Sequence, residues 1–291
     1  MKIGCHISIA GGIVNAPQRA ADLGCEVFQI FTRSPQGGPA PKLTEEVVQE
    51  FKKEMEKHGQ ANCYIHAPYY INFASVKEAT RKSSVRIVRE ELERGSLIGA
   101  KYVMFHPGSS TSLTASSAGK IGEKEILKIT ASGVAKVLDG YNGTTELLLE
   151  ISAGAGEVIG DTFDELAQIL KLIKSQKLYD TMIYHKIGIC LDSAHMFASG
   201  YDVKTKDGFR KTMETIKKTV GLDKIKLIHA NDSKIELGGR KDRHDHIGHG
   251  KIGENGFVNL MSAFPNIDLI CETHHDLVEK DIAKLKKIRD N

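Results

Sequence analysis

Ile187-Gly188-Ile189-Cys190-Leu191-Asp192-Ser193-Ala194-His195 opens as a short apolar run and closes on an aspartate, with a histidine three residues further on. Runs of this kind recur at Lys2–Ile7, Val27–Phe31, Asn62–His66, Tyr102–His106, Glu146–Ile151, Ile187–Asp192, Ile225–His229 and Asp268–Glu272. Each is short and rich in Ile, Val, Leu, Phe or Tyr, which reads as a buried strand. Helical patterns lie between them. Thr44 caps one: Leu43 can staple onto Val48, Val47, Phe51 and Met55 share a face, and Gly59 stops it. Ser83–Leu97 is another, with Val88 and Leu92 four apart and Gly99 beyond its end. Thr162-Phe163-Asp164-Glu165 is a capping box before Leu166, Ile169, Leu170 and Ile173. Leu277, Ile282, Leu285 and Ile288 fall on one face of the last helix. Strand then helix, eight times in 291 residues, is about 36 residues per unit. The expected fold is α/β, a single (β/α)8 TIM barrel over residues 1–291. A doubly wound open sheet is disfavoured because no Gly-X-Gly-X-X-Gly follows the first strand. The loop Pro35–Pro41 falls inside a unit and marks no domain boundary.

Composition limits the function classes. Apolar residues at 41% and charged residues at 26% are globular values and exclude a disordered chain. No stretch approaches ~20 apolar residues, so no membrane span is expected. No secretory or transit segment is read at the start, so an intracellular, cytoplasmic protein is expected. A net charge of +3 is too small to declare a nucleic-acid partner; such a partner needs local charge. Five cysteines (Cys5, Cys25, Cys63, Cys190 and Cys271) are an odd number with no Cys-X-X-Cys. Reduced, buried thiols are expected, not a disulfide framework or a zinc ribbon.

The chemistry lies at the strand ends. Six consecutive strands end in His66, His106, Glu150, Asp192, His229 and Glu272. They are spaced by 40, 44, 42, 37 and 43 residues, one unit per step. Every one therefore falls at the carboxyl rim of the barrel, where barrel enzymes build their sites. Three imidazoles and three carboxylates converging on an apolar mouth would be desolvated and mutually repelling if left bare. A divalent cation relieves both problems, and nitrogen and oxygen donors without thiolate suit Zn²⁺, Mn²⁺ or Fe²⁺. Six ligands exceed what one tetrahedral ion takes, so at least two metals with a bridging carboxylate are expected. Asp242-Arg243-His244 adds two donors two apart, facing one way if the loop is extended there. With His195 these could hold a third metal. His246 and His249 share that loop and are candidates for supporting groups.

Four segments resemble the endonuclease IV family of apurinic/apyrimidinic endonucleases. They are Gly188-Ile189-Cys190-Leu191-Asp192-Ser193-Ala194-His195-Met196-Phe197-Ala198-Ser199-Gly200-Tyr201-Asp202; His229-Ala230-Asn231-Asp232-Ser233-Lys234, running on to Asp242-Arg243-His244 and Ile247-Gly248; Phe105-His106-Pro107-Gly108; and Glu150-Ile151-Ser152-Ala153-Gly154. The resemblance covers essentially the whole chain. It implies three Zn²⁺ ions, with Mn²⁺ as an alternative in one position. By that resemblance His66, His106 and Glu150 hold the first. Glu150, Asp192, His229 and Glu272 hold the second, and His195, Asp242 and His244 the third. It further implies hydrolysis on the 5′ side of an abasic site in double-stranded DNA, with Glu150 and Glu272 as the catalytic carboxylates.

Tyr69 and Tyr70 would then wedge into the stack at the lesion. Arg33, Gln36, Lys234, Arg240 and Arg243 would line the path of the DNA backbone. Gln36 stands where an Arg would be expected, and Ile151-Ser152 where the family often has Asn-Thr. A monomer is the default expectation. Sugar isomerases and epimerases use the same barrel with a two-metal rim, and a metal-dependent binding protein is a third reading. Asp242-X-His244 with His195 argues for the nuclease over the first. The presence of both Glu150 and Glu272 argues against the second.

Overall fold

In the computed structural model, which describes residues 1–110, 122–175 and 184–291, every one of the eight runs carries a strand. They are β1 (Ile3–His6), β2 (Val27–Ile30), β3 (Cys63–His66), β4 (Tyr102–Phe105), β5 (Glu146–Glu150), β6 (Ile187–Asp192), β7 (Ile225–His229) and β8 (Asp268–Cys271). Neighbours pair in parallel around a closed barrel, β1 closing on β8. Val27, Tyr64, Tyr102, Met104, Leu148, Cys190, Leu227 and Ile270 fill its interior as a cluster separate from the larger one beneath the helices. Side chains alternate along a strand, so the residue two positions on also faces inward, at the C-terminal rim. Counting two from these interior residues gives Gln29, His66, His106, Glu150, Asp192, His229 and Glu272. The apolar layer closes the barrel and leaves the next layer for chemistry.

The helices follow the local signals, with differences at their ends. In Glu45–Lys57, Thr44 Oγ1 accepts from Val47 N, and Val48 and Phe51 are buried. The helix expected over Ser83–Leu97 begins earlier and runs Glu78–Ile98, ending at Gly99 in the left-handed region (φ 79°). Its first turn has no apolar periodicity to read, and is supported by an exposed Glu78–Lys82 ion pair at 2.9 Å. Thr162 Oγ1 accepts from Glu165 N at 3.1 Å, as a cap should. The Glu165 carboxylate reaches further back than a capping box requires, accepting from Gly160 N at 2.7 Å. The last helix spans Val278–Asp290, so Leu277 is its N-cap and not part of its buried face.

Two features place the remaining site residues. Asp192 ends β6 and caps the short helix Ser193–Ala198, its Oδ1 accepting from His195 N at 2.8 Å. This puts His195 in the first helical turn, directly above the strand. After β7, Asp232–Ser233 pairs antiparallel with His244–Asp245, which folds the intervening loop back over the rim. The buried Asp232 carboxylate holds that loop by accepting from the N–H groups of Ser233, Gly248, Ile252 and Gly253. No helix among the described residues is long and apolar enough to cross a membrane.

Candidate metal centre

Glu150, fully buried at the end of β5, is the hub of the rim. Its Oε2 lies 3.0 Å from His66 Nε2 and 3.6 Å from His106 Nε2. Its Oε1 lies 2.9 Å from His229 Nδ1 and 3.6 Å from His195 Nδ1. The two oxygens of one carboxylate thus face different imidazoles, which is the geometry of a bridge. His229 Nδ1 is also 3.2 Å from Glu272 Oε2. Donor atoms gather within 4.8 Å of one another in three groups: His66, His106 and Glu150; Glu150, Asp192, His229 and Glu272; and Asp192, His195 and His244. Asp242 joins the last, its Oδ1 lying 3.3 Å from both His195 Nε2 and His244 Nε2. All nine residues singled out in the sequence meet at one rim.

The second nitrogen of each ring decides which lone pair is free. His66 Nδ1 donates to Ala67 O at 2.6 Å, and His195 Nδ1 to Ile151 O at 3.0 Å. His229 Nε2 donates to Gln29 Oε1 at 2.8 Å. In the neutral rings the lone pairs then sit on His66 Nε2, His195 Nε2 and His229 Nδ1, and each is the one turned to the cluster. His106 Nδ1 is buried with no hydrogen-bond partner among the described residues.

Do these donors fit a metal? His195 Nε2 and His244 Nε2 are 3.3 Å apart, and Asp242 Oδ1 is 3.3 Å from each, so the three atoms form an equilateral triangle. Ligands at ~2.0–2.1 Å around a tetrahedral ion are separated by ~3.3–3.4 Å. The charges agree. Burial opposes ionisation of Glu150, but His106 and His229 hold its carboxyl well below the usual range. Burial likewise acts against Glu272, while His229 holds it down at about 2. Burial works against a charged His195, yet Asp192 and Asp242 push it up to about 10. Burial also acts against a charged His229, yet Cys190, Glu150 and Glu272 raise it well above its ordinary value. Without a cation the cluster balances its carboxylates only by holding protons on the lone pairs a metal would take. A divalent ion replaces those protons, so the donor set fits.

Residues that sequence reasoning did not single out hold the cluster in place. Gln29, fully buried on β2, donates from Nε2 to Glu272 Oε1 at 2.7 Å and lies 3.0 Å from His6 Nδ1. Burial holds His6 neutral, its pKa lowered to about 3, so its Nδ1 can accept. Asn231 donates to Asp192 Oδ2 at 2.7 Å and accepts from Glu272 N at 2.8 Å. The signal for Gln29 was available, since it stands two beyond an interior residue like the other rim residues. His246 turns away from the ions' place: its Nδ1 lies 2.7 Å from Asp281 Oδ2, and its ring packs edge-on against His249.

The residues proposed to face DNA divide into two groups. Tyr69 is 71% and Tyr70 37% exposed, and the Tyr69 ring stands 5.3 Å from Phe31 and 5.9 Å from His66 at the mouth. Tyr69, Tyr70, His106, His195 and Asp242 border a cavity of about 400 Å³. Gln36, Lys234, Arg240 and Arg243 are exposed; Arg240 also pairs with Asp161 at 2.7 Å. Arg33 is a correction to the sequence reading. It is only 4% exposed and its guanidinium is taken by Glu91 and by Glu90 at 2.9 Å. Arg94 binds Thr32 and Pro41 O alongside, so these groups anchor the Pro35–Pro41 loop from below. A guanidinium that is itself buried and held by two carboxylates is not free to take a phosphate.

A family model described as a xylose isomerase-like TIM barrel matches residues 17–288. The chain is 39% identical over 293 residues to a probable endonuclease 4 of Aquifex aeolicus, covering 99% of this chain and 98% of that protein. It is 37% identical over 265 residues to a probable endonuclease 4 of Halothermothrix orenii, covering 90% and 88%. The crystal structure of endonuclease IV from Thermus thermophilus superposes with a TM-score of 0.82 at 31% identity, covering 100% of this chain and 98% of that one. A D-tagatose 3-epimerase-like protein superposes with a TM-score of 0.69 at 21% identity, a likeness of fold alone.

Proposed function

The chain belongs to the endonuclease IV family of apurinic/apyrimidinic endonucleases, and on that premise we propose that it hydrolyses the phosphodiester 5′ to an abasic site in duplex DNA. The products are a 3′-hydroxyl and a 5′-deoxyribose phosphate, and blocked 3′ ends are further substrates. The supporting observation is the equilateral triangle of His195, Asp242 and His244 beside the Glu150 bridge, which adds a third donor group to a two-metal rim.

Three Zn²⁺ ions are assigned, with Mn²⁺ able to take one position. His66, His106 and Glu150 would hold the first, and Glu150, Asp192, His229 and Glu272 the second. His195, Asp242 and His244 would hold the third. Bound there, the ions would supply Lewis acidity that activates water and stabilises the phosphoryl oxygens and the leaving 3′-oxygen. Four carboxylates against three divalent ions leave the site positive, the sign a phosphodiester requires. Glu272, held ionised, orients the attacking water and accepts its proton. Glu150 fixes the spacing of the reacting groups by facing both imidazole pairs at once. Tyr69 and Tyr70 enter the stack at the lesion, and the cavity beside them receives the abasic sugar-phosphate. Selectivity follows because a nucleotide without a base costs little to turn out of the helix. Gln36, Lys234, Arg240 and Arg243 track the backbone without reading sequence. Residues 1–291 act as one barrel inside the cell.

The test is a duplex labelled at its 5′ end that carries one tetrahydrofuran abasic analogue. The analogue has no C1′ hydroxyl, so Schiff-base chemistry cannot cut it. The expected product ends in a 3′-hydroxyl one nucleotide before the lesion. An uncut duplex with metal-replete protein sinks the proposal. Glu272→Gln should abolish cleavage and keep DNA binding.

A further inference from the structure

Away from the rim, two thiols touch. Cys5 Sγ and Cys25 Sγ are 3.6 Å apart. Cys5 is fully buried on β1 and belongs to the core between barrel and helices, so its side chain points away from the barrel interior. Cys25 stands two residues before β2, between exposed Gly24 and half-buried Glu26, and is 7% exposed. Both backbones are fixed side by side: β1 pairs with β2 as Gly4 with Val27 and Cys5 with Phe28. Cys25 N donates to Ala20 O at 2.8 Å and Glu26 N to Ile3 O at 2.9 Å. The other thiols have different surroundings. Cys63 and Cys190 lie against the carbonyls of Tyr64 and Leu191, and Cys271 is the partner of Cys5 across the β1–β8 ladder.

We propose that Cys5 and Cys25 form an oxidisable pair that closes to an intramolecular disulfide on exposure to hydrogen peroxide. Cys25 reacts first. It lies nearest solvent, and the Lys286 ammonium binds the carbonyl of adjacent Gly24 at 2.7 Å, where a cation favours thiolate. The hydrogen bond from Cys5 also holds the Cys25 thiol below its usual range, and that same contact with burial pushes Cys5 up. The Cys25 thiolate attacks one peroxide oxygen, the O–O bond breaks, and hydroxide leaves, giving a sulfenic acid. The Cys5 sulfur then displaces the second oxygen, and the protons of both thiols leave with the oxygens as two waters. Two thiols are oxidised by two electrons and one peroxide is reduced. The sulfurs must close from contact to ~2.05 Å, a movement of ~1.6 Å that side-chain rotation and a small loop shift supply. The bond would fasten the start of β2 to β1 around the helix Ala16–Asp22. It adds stability by constraining the unfolded chain, without touching a rim residue.

Trypsin cuts after Lys2, Arg19 and Arg33, so the two cysteines fall in separate peptides, Ile3–Arg19 and Ala20–Arg33. The full-length protein is reduced, freed of reductant, treated with hydrogen peroxide, alkylated in denaturant, digested and weighed without reduction. The expected product is the two peptides joined, lighter by two hydrogens than their sum, with a higher melting temperature than the reduced protein. Cys5→Ser should leave Cys25 as a sulfenic acid trapped by dimedone, and Cys25→Ser should leave Cys5 as free thiol. Recovery of both thiols alkylated, at a dose that oxidises methionines, overturns the proposal. So does a disulfide joining either residue to Cys271.

Discussion

Gln29 and Glu272 are joined by a 2.7 Å hydrogen bond although 243 residues separate them. The amide orientation is forced. An ionised carboxylate can only accept, so Gln29 Nε2 must face Glu272, which leaves Oε1 to accept from His229 Nε2. One side chain therefore sets both the rotamer of the proposed base and the tautomer of a proposed ligand. Gln29→Leu should lower metal affinity by about 10–100-fold, the usual effect of losing a group that orients a ligand. Gln29→Glu should do worse, because it sets a carboxylate against Glu272. Competition against a chelator reads the affinity; equal affinities in all three proteins would remove Gln29 from this role.

His244→Ala removes one vertex of the His195–Asp242–His244 triangle and leaves the Glu150 bridge intact. The expected protein binds one metal fewer per chain and loses most of its incision activity. Elemental analysis of the purified variant decides it. An unchanged metal count would mean that the triangle holds no ion.

Tyr69 is exposed, so Tyr69→Ala should fold normally, within about 0.5 kcal/mol of the parent. Binding to abasic duplex should weaken by about 1–3 kcal/mol, the worth of an aromatic stacking contact. Equal affinity of parent and variant for abasic duplex would refute the wedge.

Arg33 and Lys234 should behave in opposite ways. Arg33→Met leaves Glu91 buried and unpaired, which costs about 3–5 kcal/mol and lowers the melting temperature. Lys234→Ala should leave stability unchanged and reduce the salt dependence of DNA binding by about one phosphate contact. Arg33→Met with normal stability and a reduced salt slope would restore it to the DNA-facing group.

The metal-free protein should show a pH signature. Burial disfavours a charged His195, but Asp192 and Asp242 raise it from 6.5 to about 10. A raised pKa in the fold means that its contribution is complete below pH 6.5 and lost as pH rises through about 10. Stability of the metal-free chain should therefore fall across that window, and metal loading at neutral pH should release protons. Melting curves in chelator and calorimetry in buffers of different ionisation enthalpy measure the two effects. A metal-free stability that climbs across this range contradicts the assignment.

The rim was legible because a strand's alternation is local. His66, Glu150, Asp192 and His229 each follow an interior apolar residue by two, and the repeat length puts them all at one end. Gln29 obeys the same rule and was still passed over, because an amide carries no charge that demands explanation from sequence alone. The true start of the Glu78–Ile98 helix was hidden in a polar first turn. Glu90 and Glu91, which occupy Arg33, lie on that helix, so nothing near Arg33 in the chain reveals its partners.

Sequence by itself determined the (β/α)8 order and the inward-facing strand ends, because period and register are properties of neighbouring residues, and it supplied nine candidate donors. Tertiary structure decided which donors face one another. Glu150 turns one oxygen to His66 and the other to His229, and Asp242 comes within 3.3 Å of His195 across a folded loop. Those separations depend on barrel closure and on the path that buried Asp232 imposes on the loop after β7. Both are set by contacts between segments far apart in the chain, where no local pattern reaches.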